Sequence, residues 1–197
     1  MTIDLELAIK IIWCLFIVVW ATIRWQPNRK SRKTAKSTTS RSAAERFSMV
    51  VSSLGLGYIP AVWIFTDFLD GFDYRPNMVL VIAGTLVLVA SLRLFRLTHK
   101  ALGKMWSHSL DLREGHKLVT SGIYEKVRHP MYTAFWMWAL GAALLLPNWI
   151  AGLSGLVGFG TLFFLRVGQE EKMMRNEFGE EYDAYMKRTK RIIPGIY

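Results

Sequence analysis

Cysteine is nearly absent from this chain of 197 residues, which contains one, Cys14. A single thiol cannot form an internal disulfide bond, so the sequence excludes a small secreted domain held together by disulfides. Cys14 lies in an apolar stretch, where a free cysteine behaves as a small hydrophobic side chain. We therefore interpret Cys14 as a packing residue.

Charged side chains are absent from several long stretches, and this absence defines the class of protein. Residues 129–165, for example, contain no Lys, Arg, Asp or Glu. A hydrocarbon core of roughly 30 Å requires about twenty apolar residues in a helix. The chain is therefore predicted to be an all-α polytopic membrane protein rather than one or two soluble domains. About five transmembrane helices are expected, at residues 5–24, 47–66, 77–95, 130–147 and 149–167.

Acidic residues are the minority charge, with 15 Asp and Glu against 25 Lys and Arg. The basic residues cluster in segments 24–46 and 96–128, and residues 28–43 are predicted to form a flexible basic loop. By the positive-inside rule, the amino terminus lies outside and the carboxyl terminus faces the cytoplasm. The net charge of +10 thus reflects orientation and an attraction to anionic membrane lipids, and nucleic acid is not expected as a partner.

The last two predicted helices are short and are joined by a turn at Pro147-Asn148. Each limb holds about eighteen residues at roughly 1.5 Å per residue, so the two outer ends return to about the same depth. The hairpin therefore brings residues 128–132, Arg-His-Pro-Met-Tyr, close to residues 166–171, Arg-Val-Gly-Gln-Glu-Glu. Ionisable groups of opposite sign beside lipid indicate a functional site at one membrane face.

Three motifs follow one another around this predicted site: residues 116–124 (HKLVTSGIY), residues 128–132 (RHPMY) and the pair Glu170-Glu171. Residues 178–185 (FGEEYDAY) come after them. This ordered set resembles the isoprenylcysteine carboxyl methyltransferase family and its prokaryotic membrane relatives. The Arg-His-Pro and Glu-Glu elements are also similar to those of phospholipid methyltransferases. The resemblance covers about residues 96–197.

The resemblance divides the chain into two regions. Residues 1–95 hold membrane helices 1–3 with the basic cytoplasmic loop 24–46. Residues 96–197 form the predicted catalytic region, which consists of a cytoplasmic connection, the helical hairpin 130–167 and a C-terminal amphipathic helix. In that helix, apolar residues recur at i, i+4, i+7 and i+8, which predicts one continuous stripe. The stripe consists of Phe178, Tyr182, Tyr185 and Met186.

The resemblance implies methyl transfer from S-adenosylmethionine within the membrane, without a Rossmann domain. Consistent with this, no Gly-x-Gly-x-x-Gly motif follows a strand. Arg166 and Glu171 match family positions near the methyl-accepting group and are the candidate catalytic residues. No metal centre is expected, because His99 and His108 lack a second ligand at metal-binding spacing. By analogy, the residues that contact the cofactor are His116, Lys117, Val119, Tyr124, His129, Tyr132 and Glu170.

The chemistry of the acceptor determines what the protein must supply. A carboxylate with a pKa of about 4 is already ionised at neutral pH, so catalysis requires alignment and exclusion of water. Arg166 would then position the carboxylate by a bidentate contact. An amine would first have to lose a proton, which makes Glu171 a candidate base. The residues fit both, and the resemblance favours a carboxylate on an amphiphilic or lipid-modified substrate such as a prenylated cysteine.

Three other functions are alternatives to this interpretation. A phospholipid amine N-methyltransferase would use the same cofactor, and an NADPH-dependent membrane reductase has related helices. A small transport or structural protein would need polar residues in the middle of the membrane, where this chain is apolar. Five tryptophans are interpreted as membrane-interface anchors rather than ligands: Trp13, Trp20, Trp25, Trp63 and Trp149. The sequence leaves the oligomeric state open.

Overall fold

The computed structural model describes residues 4–34, 42–103 and 118–197, and within these ranges its regular structure is helical. Strand pairing there is limited to two isolated bridges, so the all-α prediction is confirmed. A π-helical turn at Leu54–Tyr58 joins the second helix to the third, and a 3-10 turn lies at Asp70–Phe72. The helices are α1 (Leu5–Thr34), α2 (Ala43–Ser53), α3 (Ile59–Phe65), α4 (Met78–Leu102), α5 (Ile123–Lys126), α6 (Pro130–Leu145), α7 (Trp149–Phe178) and α8 (Glu180–Arg188).

Four helical segments in the described ranges are long and apolar enough to cross a membrane. They confirm four of the expected spans. The remaining one, α6, is apolar but has 16 residues, which at roughly 1.5 Å per residue falls short of a 30 Å hydrocarbon core. It packs between α4 and α7. The four segments are Leu5–Trp25, Ala43–Phe65, Met78–Leu102 and Trp149–Phe178.

Several helices extend beyond the predicted limits. The flexible loop predicted for residues 28–43 is wrong in its first part, because α1 continues to Thr34. The fifth predicted span was expected to end near residue 167, yet α7 continues to Phe178. The α1 extension contains Arg and Lys, and the α7 extension contains Gln, Glu, Lys, Met and Arg. These residue types have good helix propensity.

The single C-terminal stripe predicted from Phe178 to Met186 is also corrected by the structure. Gly179 has φ 51°, and this conformation ends α7 and begins α8 in a new direction. Glycine adopts such a conformation without steric cost. The apolar spacing continues across Gly179, so it does not indicate that a helix ends there. Phe178 and Met186 nevertheless pack against the same buried pair, Tyr182 and Tyr185.

Glycine residues bring the backbones of α2 and α7 into direct contact. A Cβ atom at Gly55 would lie 2.2 Å from the carbonyl oxygen of Ser154, and a Cβ atom at Gly158 would lie 2.6 Å from that of Val51. The Ser154 hydroxyl donates to the Gly55 carbonyl at 2.8 Å. This is the close packing of small residues that membrane helices use in place of hydrophobic association.

A polar cluster ties the helices together at the end of the bundle opposite the predicted site. Asn148 caps α7 by accepting from the amide of Ala151 at 2.8 Å, which confirms the predicted turn. The Asn148 amide nitrogen donates to an Asp73 carboxylate oxygen at 2.6 Å. The indole of Trp63 donates to the same oxygen at 2.7 Å.

Trp13 and Trp63 belong to the core, so their interpretation as interface anchors is wrong. They are 2% and 1% exposed. Asp73 accepts from the Trp63 indole N–H, so this polar group is satisfied in the core. Trp13 packs against Phe16 and Trp138, with ring centroids 5.7 and 6.3 Å away. The rings of α1 thereby dock this helix onto α6.

Candidate active site

The two ends of the hairpin meet, as the sequence predicts. Pro130 begins α6, and His129 precedes it as the cap residue with φ −123°. The Nδ1 atom of His129 lies 3.8 Å from an oxygen of Glu170 on α7. The Tyr132 hydroxyl donates to the other Glu170 oxygen at 2.5 Å. His129 and Tyr132 stack with ring centroids 5.4 Å apart, so an imidazole, a phenol and a carboxylate share one site.

Glu171 faces the other side of His129, as its position next to Glu170 on a helix requires. Its oxygen Oε1 lies 3.3 Å from His129 Nε2 and 2.7 Å from Arg128 Nη2. Its oxygen Oε2 lies 2.7 Å from Arg191 Nη2. Glu171 is buried, with 7% of its surface exposed. The His129 ring therefore lies between two carboxylates, one of which is bound by two arginines.

Arg166, the other candidate catalytic residue, contacts a residue that the sequence did not single out. Its Nη1 atom lies 3.8 Å from Glu45 Oε1, and both side chains are largely buried. Glu45 lies in the first turn of α2, where Ser42 accepts from its amide at 3.1 Å. The sequence signal that could have identified Glu45 is its negative charge in a predominantly basic segment. The pair joins the start of α2 to α7 beside the site.

A cavity of about 1070 Å³ joins the ends of these helices to the middle of the bundle. Glu171 does not line it and lies instead in a second, more basic concavity beside Lys172 and Arg191. Of the predicted cofactor residues, His116 and Lys117 lie outside the described part of the chain. The predicted residues that line the large cavity are Val119, Tyr124, His129, Tyr132, Arg166 and Glu170.

The inner part of the cavity is apolar and extends between α1 and the α2–α3 segment. Leu56 and Trp138 line its buried depth. Val18 and Tyr58 also line it, and they are 58% and 66% exposed. Helix α1 packs mainly on α4 and α2 packs on α7, so exposed side chains from both elements border the cavity. An elongated apolar group fits this shape.

Two further polar residues line the cavity near its charged end, Arg24 on α1 and His99 on α4. Arg24 lies over the ring of Trp20, 5.1 Å from its centroid. The Nδ1 atom of His99 lies 2.9 Å from the carbonyl oxygen of Phe95. Sequence reasoning did not place Arg24 at the site, because its contribution depends on how α1 packs against α4.

Helix α8 closes the charged end of the bundle with two buried tyrosines. The Tyr185 hydroxyl donates to the carbonyl of Tyr124 at 2.6 Å, and Tyr182 packs beside it. Burial raises the pKa of the Tyr185 phenol to about 12. This phenol therefore stays protonated at neutral pH, where it acts as a hydrogen-bond donor that fixes the segment before His129.

The part of the cavity beside Glu170 suits an organic cation, whereas Arg24, Arg128 and Arg166 also line the cavity. A carboxylate and stacked aromatic rings attract positive charge, and the attraction is stronger where water is excluded. Glu170, Tyr132 and His129 provide these groups at the opening of a cavity that becomes apolar further in. The site can thus hold a positively charged molecule next to an apolar one.

A family model described as the isoprenylcysteine carboxyl methyltransferase (ICMT) family matches residues 79–176. Protein-S-isoprenylcysteine O-methyltransferase B of Arabidopsis thaliana is 34% identical over 96 residues, which cover 48% of this chain and 49% of the relative. The Schizosaccharomyces pombe protein-S-isoprenylcysteine O-methyltransferase is 38% identical over 96 residues, 48% of this chain and 41% of the relative. The matched region therefore spans about half of the first relative and less than half of the second.

Two other comparisons extend over more of the chain. A probable protein-S-isoprenylcysteine O-methyltransferase of Oryza sativa subsp. indica is 25% identical over 163 residues, 81% of this chain and 82% of the relative. A solved structure of the eukaryotic intramembrane Ras methyltransferase ICMT superposes with a TM-score of 0.54 at 23% identity, covering 81% of this chain and 55% of that one. The superposition shows that the two proteins share a fold.

Proposed function

Because the chain belongs to the isoprenylcysteine carboxyl methyltransferase family, we propose that it transfers a methyl group from S-adenosylmethionine to an amphiphilic acceptor in the membrane. One observation carries this proposal. A single cavity connects the Glu170–His129–Tyr132 cluster to an apolar chamber between α1 and α2–α3. A water-soluble sulfonium cofactor and a lipid-like acceptor require these two environments side by side.

S-adenosylmethionine would supply an electrophilic methyl group at the charged end of the cavity. Glu170 and the ring of Tyr132 provide the negative charge and the aromatic face that a sulfonium cation favours. Val119 and Tyr124 line the same end and are proposed to contact the rest of the cofactor. His116 and Lys117 remain part of the proposed binding set. Basic segments flank this end in sequence, so we place it at the cytoplasmic face.

Arg166 is proposed to hold the acceptor, a carboxylate such as that of a prenylated cysteine. The carboxylate oxygen forms a bond to the methyl carbon while the carbon–sulfur bond breaks and its electron pair stays on sulfur. The products are a methyl ester and S-adenosylhomocysteine, and no proton is transferred. Because the reaction joins a cation and an anion into neutral products, the protein has to align the reacting atoms and exclude water. Arg166 is proposed to supply the alignment by holding the carboxylate.

The geometry supports a carboxylate acceptor better than an amine. An amine has to lose a proton, and Glu171 is the acid that the sequence offered for that role. Both Glu171 oxygens are engaged by arginine side chains, and the carboxylate faces away from the large cavity. Since a carboxylate needs no base, this arrangement is compatible with ester formation and unfavourable for N-methylation.

Cofactor binding is the first measurement that checks the proposal. Calorimetry on the purified protein in detergent is expected to detect binding of S-adenosylhomocysteine. Glu170→Gln and His129→Ala should weaken binding of the sulfonium cofactor, S-adenosylmethionine, by about tenfold to a hundredfold, because each removes a polar or charged contact. Arg175→Ala is the control, because Arg175 forms an exposed pair with Asp183. Absence of binding in the wild type, or undiminished binding in both site variants that remain folded, would reject the proposed site.

A second titration and an acceptor comparison separate the alternatives. NADPH is expected to give no binding heat, and binding of NADPH in place of S-adenosylhomocysteine would support a membrane reductase. With a labelled methyl donor, a farnesylated cysteine derivative is expected to gain a base-labile methyl ester. Label appearing on phosphatidylethanolamine instead would establish an amine acceptor.

Narrowing the gap beside α1 should hinder the acceptor and leave cofactor binding intact. Val18→Trp adds bulk at an exposed position that lines the cavity. Steric overlap of about 1–3 kcal/mol corresponds to a decrease in kcat/KM for a prenylated acceptor of about fivefold to 150-fold. Leu15→Trp is the matched control on the same helix, since Leu15 is 59% exposed. Equal activity of the two variants would place acceptor access elsewhere.

A further inference from the structure

A segment near the carboxyl end runs back across the start of α6 and pairs with it through backbone atoms. The carbonyl of Lys190 accepts from the amide of Arg128 at 2.7 Å, and the carbonyl of Arg191 accepts from the amide of His129 at 2.9 Å. The next carbonyl accepts from the Thr133 hydroxyl at 2.9 Å. Residues 189–197, here called the strap, lie outside the part of the chain that the family model matches. They nevertheless hold the backbone amides of Arg128 and His129.

The strap also reaches the site through one side chain. The Arg191 guanidinium makes a bidentate contact with Glu171, with Nε 3.1 Å from Oε1 and Nη2 2.7 Å from Oε2. Its remaining nitrogen Nη1 donates to the Tyr197 hydroxyl at 2.9 Å. The Glu171 carboxylate raises the pKa of this guanidinium above its usual range, so Arg191 carries its charge throughout the working pH range.

Glu171 connects this side chain to the imidazole. The carboxylate oxygen Oε1 that binds Arg191 also lies 3.3 Å from His129 Nε2 and accepts from Arg128. On the opposite edge of the ring, Nδ1 lies 3.8 Å from Glu170. The direction in which His129 points therefore depends on where the Glu171 carboxylate is held, and the two arginines hold it from two sides.

We propose that Arg191 is a positioning residue for cofactor binding: by anchoring Glu171 and the strap, it keeps the His129 ring directed towards Glu170. The inference rests on the proposed function, in which His129 and Glu170 contact the cofactor. Arg191 itself does not line the large cavity among the described residues. Its effect on binding is therefore transmitted through Glu171 and the backbone of His129.

The test measures binding of S-adenosylhomocysteine by calorimetry at a temperature well below the unfolding transition of every variant. Arg191→Ala is expected to weaken binding by about tenfold, the size of effect that coupled neighbouring groups show. Arg191→Lys should recover part of the loss, because lysine keeps the charge without the bidentate geometry. Arg175→Ala, which removes the same charge from an exposed pair, should bind as the wild type does.

Kinetics and a double variant distinguish positioning from a general loss of structure. Arg191→Ala should raise the KM for S-adenosylmethionine and largely regain its kcat when the cofactor is saturating. In a Glu171→Gln background, the same substitution should change affinity by much less than tenfold. Wild-type affinity in Arg191→Ala, or fully additive losses in the double variant, would overturn the inference. Absence of binding in the wild type would instead reject the proposed function.

Discussion

Gly158→Val is expected to prevent stable folding of the protein in mild detergent. A Cβ atom at this position would lie 2.6 Å from the carbonyl oxygen of Val51 and 3.1 Å from the Cα of Gly55. Both obstacles are backbone atoms of the neighbouring helix, so no side-chain rotation relieves the overlap. Overpacking costs about 1–3 kcal/mol where side chains can yield and more here, against a total stability of about 5–15 kcal/mol. Size-exclusion chromatography and thermal melting measure the outcome.

Gly168→Val on the same helix is the matched control. A Cβ atom at Gly168 has nothing within 4 Å, and the change in intrinsic helix propensity is the same as at Gly158. This variant should elute as a single species and melt close to the wild type. If Gly158→Val behaved like its control, the backbone contact between α2 and α7 would not exist in the membrane protein.

Glu171→Leu should produce the second large effect, a loss of both stability and cofactor affinity. Leucine fills much of the volume but leaves the Arg128 guanidinium, whose side chain is 9% exposed, without its carboxylate partner. Removing one member of a buried ion pair costs about 3–5 kcal/mol, because the remaining charge stays buried. The melting temperature in detergent and the affinity for S-adenosylhomocysteine should therefore both fall.

Glu171→Gln separates the two roles that this residue can have. Glutamine keeps the size of the side chain and one carbonyl oxygen for Arg128 or Arg191. If Glu171 holds His129 in place, this variant should bind the cofactor more weakly and keep substantial turnover once the cofactor is saturating. If Glu171 is a base, affinity should remain unchanged while turnover is lost at every cofactor concentration.

The proximity of His129 to Glu170 could be predicted from the sequence because it follows from the constant rise per residue of an α-helix. An uncharged stretch with a turn at its midpoint, folded into two helices of constant rise, returns its ends to the same depth. The Pro147-Asn148 turn supplied that midpoint, and Asn148 caps α7 there. The helical class and most of the spans followed from hydropathy in the same way.

The partners of these residues could not be predicted, because they come from elements distant in the chain. Glu45 reaches Arg166 only when α2 crosses α7, and Arg191 reaches Glu171 only when the strap folds back. The break at Gly179 was missed for a different reason. Apolar spacing continues through the glycine, so periodicity alone does not show that the backbone changes direction there.

The helices on the two sides of the apolar chamber differ in how closely they pack against their neighbours. Between α2 and α7, main-chain atoms touch, and neither helix can shift without breaking that contact. On the other side, α1 packs on α4 and contacts α6 through the rings of Trp13, Phe16 and Trp20, which pack against Trp138. Aromatic rings can repack by rotating about their side-chain bonds. If the chamber accommodates apolar groups of different size, we therefore expect α1 to shift rather than α2 or α7.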